Sequence, residues 1–83
     1  MSNKNFEKAY QLSINNRQLV DIVNTCGCFY YCRIFITPQI NTYTNDNSAI
    51  CPSCQNDYII PDTAEIPITV EFLKRMSTFW FGI

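Results

Sequence analysis

Eighty-three residues, 47 % apolar and 14 % aromatic with a formal charge of −1, describe one folded domain and exclude a disordered chain. The charge balance disfavours a protein that holds nucleic acid by its phosphates, and no run approaches the roughly 18–20 apolar residues of a membrane span. A domain this short has a modest core and leans on a disulfide, a metal or a partner for its stability.

Residues 1–12 read as a polar N-terminal segment in which Phe6, Ala9 and Tyr10 form a short helical stripe, with a single domain following at 13–83. The start lacks the apolar run of a signal peptide, which predicts a cytoplasmic protein whose thiols stay reduced. The competing reading, a secreted disulfide domain, sits poorly with an odd count of five cysteines. Residues 14–24 predict a helix with Leu19, Ile22 and Val23 at i, i+3 and i+4. Asn15 is its expected N-cap, with Gln18 as the capping-box partner.

The first cysteine cluster comes next, followed by a strand over Arg33-Ile-Phe-Ile-Thr37 that Pro38 interrupts. Ile40, Thr42 and Thr44 share one side of a second strand candidate, with Tyr43 on the other. Asn45-Asp-Asn-Ser48 is turn chemistry. After the second cysteine cluster, Tyr58-Ile-Ile60 predicts a short strand ended by Pro61-Asp62. The last helix spans Thr69–Phe79, with Val70, Leu73, Met76 and Trp80 on one stripe, Phe72 and Phe79 widening it, and Glu71 in the first turn.

The cysteines carry the chemistry. Cys28-Phe-Tyr-Tyr-Cys32 and Cys51-Pro-Ser-Cys54 are two close pairs separated by 18 residues, and the chain has no histidine. Two such knuckles close a tetrahedron of sulfurs around Zn2+, with Cys28, Cys32, Cys51 and Cys54 as the ligands. Bound in this way, zinc would bring the formal charge to about −3. Cys26 remains a substitute ligand through a Cys26–Cys28 or Cys26–Cys32 pairing; otherwise it is a small buried apolar residue. Four thiolates leave no vacancy for catalysis, and Asp57 reads as a turn residue or a support behind the ligands and not as an acid catalyst. Iron accepts the same ligands, but a rubredoxin-like site brings glycine-rich turns, and this chain has only Gly27 and Gly82.

Ser13-Ile-Asn-Asn-Arg17, Cys26-Gly-Cys-Phe-Tyr30, Arg33-Ile-Phe35, Ala49-Ile-Cys-Pro-Ser-Cys54, Ile68-Thr-Val-Glu-Phe-Leu-Lys74 and Trp80 together resemble a family of small uncharacterised bacterial cytoplasmic proteins. The hallmark of that family is a CGCFYC segment followed by CPYCG. The similarity covers roughly residues 11–80 and implies a zinc-ribbon-like module. The chain departs from the pattern in three places. An extra tyrosine, Tyr30 or Tyr31, lengthens the first knuckle. Gln55 replaces the glycine after the second, which predicts a strained left-handed residue there. Tyr43 stands near a usual tryptophan.

The expectation is therefore an α+β, zinc-ribbon-like domain with short antiparallel strands, an N-terminal helix and a packed C-terminal helix. Its expected role is a non-enzymatic protein–protein interaction module that presents Tyr30, Tyr31 and Trp80 to a protein partner. Phe79 and Trp80 also read as core residues. An inhibitor, immunity or phage-defence role follows from small size, acidic balance and nine asparagines, a composition that points to a bacterial or phage source. The alternative is a nucleic-acid-binding ribbon, for which Lys74-Arg75 is the only clustered basic pair. An enzyme is disfavoured, because the chain has neither histidine nor a nucleophile motif.

Overall fold

The computed structural model describes residues 3–82. One antiparallel sheet has β1 (Thr25–Cys28) at its centre, between β2 (Arg33–Ile36) and β3 (Ile59–Pro61). Among the described residues three α-helices accompany it, α1 (Asn3–Gln11), α2 (Arg17–Ile22) and α3 (Val70–Phe81), with a single 3-10 turn over Thr37–Gln39. This is the expected α+β architecture, and its cysteine cluster is consistent with a zinc-ribbon-like domain.

The period of two along the strands divides the core into two layers. Cys26 and Cys28 of β1, Phe35 of β2 and Ile59 of β3 pack on one side with Val20, Ile40, Ala49 and Cys51. Phe29 and Ile60 pack on the other, against Phe6 and Ala9 of α1 and Phe72, Leu73 and Met76 of α3. Gly27 belongs to the helix side. A Cβ there would lie 2.7 Å from Ile68 Cγ2 and 2.9 Å from Leu73 Cδ1. The sequence suggested that Gly27 permits a tight bend, but it sits in the central strand, where its missing side chain lets α3 approach the sheet.

The expected polar N-terminal segment contributes to this core. Within it residues 1 and 2 lie outside the described region, and residues 3–11 are helical, with Phe6 and Ala9 buried. The expected 14–24 helix is shorter and rotated. Asn15 adopts a left-handed φ of 49° and caps nothing; α2 begins after Asn16. Val20 is the residue it buries, while Ile22 is 77 % exposed. Asn16 instead ties three segments together. Its amide nitrogen donates to Leu12 O at 2.9 Å and Ile59 O at 2.8 Å, and its oxygen accepts from Ala49 N at 2.9 Å. A buried asparagine satisfied in this way holds the loop before Cys51 against β3.

The second strand candidate reduces to an isolated bridge between Tyr43 and Ala49, while Asn47 supplies the expected turn with φ 65°. Thr69 caps α3 through an Oγ1 that accepts from Phe72 N at 3.0 Å, and Gly82 closes the helix at φ 71°. The buried stripe of α3 is Phe72, Leu73, Met76 and Ser77. Val70, Phe79 and Trp80, which the sequence placed on or beside the core stripe, stay exposed because the sheet meets the helix about one residue further round.

Candidate metal centre

The second knuckle is built from a short turn whose amides point at sulfur. The N–H groups of Ser53 and Cys54 both approach Cys51 Sγ at 3.4 Å, and Gln55 N donates to Cys51 O at 2.9 Å. Closing that last bond puts Gln55 at φ 66°, the left-handed position predicted by its missing glycine. Asn56 O then accepts from Cys51 N at 2.8 Å, which anchors the turn at both ends.

The first knuckle repeats this backbone. Tyr31 N donates to Cys28 Sγ at 3.3 Å, the Tyr30 amide bears on the same sulfur, and Cys32 N donates to Cys28 O at 2.7 Å. The left-handed residue is Cys32, at φ 58°. Position by position, Cys28 matches Cys51, Tyr31 matches Cys54 and Cys32 matches Gln55.

Cys28, Cys51 and Cys54 offer sulfurs that all lie within 4.8 Å of one another, with Cys28 and Cys54 Sγ only 3.6 Å apart. Two sulfurs at about 2.3 Å from one tetrahedral ion stand about 3.8 Å apart, so the spacing suits a single ion. Cys28 and Cys51 are fully buried, and Cys54 is half-buried.

The structure does not bring Cys32, expected as the fourth ligand, into this group. Its side chain packs with the cluster on the helix side of the sheet, whereas Cys28 and Cys51 belong to the opposite layer. With three residues between Cys28 and Cys32, one more than between Cys51 and Cys54, the Cys32 thiol falls past the ligand position and into the turn-closing one. Cys26, the possible substitute, is also outside the group. It is fully buried beside Cys28 and directs its thiol to Phe35 O at 3.8 Å.

Electrostatics separate the thiols. Burial pushes the Cys26 thiol up to about 12, with the Cys51 charge adding to the effect. Burial also drives Cys28 up; the Tyr31 amide opposes this, and Cys51 and Cys54 reinforce it. At Cys54 burial pulls upward, but hydrogen bonds from the Asn56 amide and side chain and from the Cys51 and Cys28 thiols outweigh it, so its net shift is downward. Cys54, half-buried and supplied with these donors, is therefore shifted in the opposite direction to the buried Cys26 and Cys28. Asn56 was not singled out in the sequence; its signal was only its place two residues after a knuckle.

Tyr30 and Tyr31, the expected contact residues, are both exposed beside the first knuckle, and Arg33 lies over the Tyr31 ring at 5.5 Å. Tyr30 packs edge-on against Phe81 at 5.2 Å. Trp80 is 36 % exposed and rests against Tyr10, with ring centroids 4.7 Å apart. Asp57 is exposed in the bend after the second knuckle.

Fold and site together define a small α+β domain with a three-cysteine cluster able to hold a metal ion. No protein family, curated protein or solved structure matches this chain. Among the described residues no helix is long and apolar enough to cross a membrane.

Proposed function

We propose that this chain is a non-enzymatic, zinc-stabilised protein-binding module of the bacterial or phage cytoplasm. The observation that carries the reading is the convergence of the Cys28, Cys51 and Cys54 sulfurs within 4.8 Å, on turns whose amides already point at them. Zinc fits a thiolate set with single-ion spacing and no redox requirement. When bound, it would tie the loop carrying Cys51 and Cys54 to the end of β1, adding stability that the small core lacks. The protein-binding half of the reading rests on Tyr30, Tyr31 and Trp80, exposed aromatics of the kind that anchor interfaces. Inhibition of a toxin or of a defence component is the narrower role favoured by size and acidic balance.

Nucleic-acid binding is the weaker reading. Arg75, half of the one clustered basic pair, is tied to Glu71 at 2.7 Å on the exposed face of α3. The test combines metal analysis with capture. Purified protein should carry one zinc per chain. Capture from host lysate should return a protein that binds wild type and is lost with Tyr31→Ala at unchanged metal content. Tight, steeply salt-dependent binding to DNA or RNA, with no protein captured, would overturn the proposal.

A further inference from the structure

The matching of the two knuckles has a consequence for ligand number. In a two-knuckle site the ligands are the first and fourth residues of each turn. In the second knuckle these are Cys51 and Cys54, joined by the amide of the fourth residue donating to the sulfur of the first at 3.4 Å. In the first knuckle the same bond, at 3.3 Å, runs from Tyr31 to Cys28. The fourth corner of the site therefore belongs to Tyr31, whose phenol is not a soft-metal ligand. Cys32 takes the turn-closing place, like Gln55, and its side chain lies in the other layer of the core.

We infer that the chain supplies three thiolates to its metal and leaves the fourth coordination position to a thiolate from outside the chain. This rests on the metal-centre reading above. The corner is reachable: Tyr31 is 52 % exposed, and Cys54, its counterpart across the site, is only partly buried. Arg33, over the Tyr31 ring, places a cation at the same edge and favours an anionic donor over a neutral one. Softness selects sulfur, because three thiolates already define a soft site. As the donor's sulfur binds, its S–H proton passes to solvent, so the charge added at the site is one negative unit. Two sources share this chemistry: a small-molecule thiol, and a cysteine of a second copy.

Cobalt(II) loaded into the apo protein reads ligand number directly, through sulfur-to-metal charge-transfer intensity and the position of the ligand-field bands. The expected wild-type spectrum is that of three thiolates, unchanged in Cys32→Gly, which retains the left-handed turn, and in Cys32→Ser. Titration with 2-mercaptoethanol should raise the charge-transfer intensity saturably by about one third, as one thiolate joins three. Tyr31→Cys should give the four-thiolate spectrum with no added thiol and no further response. A series in protein concentration without added thiol identifies the source. A rise with concentration assigns the donor to a second copy, and a flat series assigns it to a small thiol. A wild-type spectrum of four thiolates at low protein concentration, losing one in both Cys32 variants, overturns the inference but leaves the metal centre standing. Failure to bind cobalt or zinc at all removes the metal centre itself.

Discussion

Tyr31 and Cys54 occupy the same place in two copies of one turn. Each donates its amide to the sulfur three residues earlier, Tyr31 to Cys28 at 3.3 Å and Cys54 to Cys51 at 3.4 Å. The consequence is a centre in which three thiols of this chain converge, and it sets most of what can be measured.

Metal removal is the broadest test of that centre. The loop from Ile40 to Asn56 adds no strand to the sheet and holds one isolated bridge, so the binding energy of a metal at Cys51 and Cys54 would be folding energy for this layer. A strong chelator should lower the melting temperature by more than about 10 °C, which corresponds to roughly 2 kcal/mol for a domain of this size. Circular dichroism and calorimetry check this, and an unchanged melt would show that the layer stands without metal.

Metal affinity should rise with pH. Burial raises the Cys28 thiol, so near neutral pH it is protonated in the free protein and must release its proton to bind. Affinity therefore falls as pH drops and climbs by up to about tenfold per pH unit for each proton released. Isothermal titration in buffers of different ionisation enthalpy counts those protons; no release would mean that the thiols are already ionised. In the metal-free protein, stability contributed by Cys26 runs the opposite way. Its folded value, about 12, lies above the ordinary 9.0, so the contribution is present below pH 9 and lost as pH rises toward 12.

Gly27→Ala should destabilise the protein by about 1–3 kcal/mol through overpacking. The added methyl would meet Ile68 and Leu73 inside 3 Å, and both are buried in the helix-side core. Urea unfolding of the metal-loaded protein measures this. Full wild-type stability would mean that α3 can slide away from the sheet.

Asn16→Ala should cost about 2–4 kcal/mol, because Ile59 O and Ala49 N lose their side-chain partner in a buried setting. The loss should appear with the metal bound as well as absent. A loss confined to the metal-free form would place the role of Asn16 in the site and not in the scaffold.

Gln55→Gly should be neutral to stabilising, by up to about 1 kcal/mol. Glycine takes φ 66° without the left-handed penalty, at the expense of greater freedom in the unfolded chain. Thermal melts of the two loaded proteins make the comparison, and a clear loss of stability would assign the Gln55 side chain a contact role.

The sequence by itself determined the elements whose cause is local. The α3 boundary followed from Thr69 and from the apolar repeat after it, β2 and β3 from their β-branched runs, and the Asn47 turn from its asparagines, whereas the left-handed Gln55 was expected only from the family resemblance. The close pair Cys51 and Cys54 was legible because a C-x-x-C turn is closed by its own amides. Only the tertiary structure decided which sulfur of the first cluster joins them. That choice depends on which face of the sheet each residue meets, and the three-residue spacing after Cys28 carries Cys32 past the ligand position to the helix side, leaving Cys28 to meet Cys51 and Cys54. Spacing along the chain permits several such pairings, and the pleat of β1 selects one.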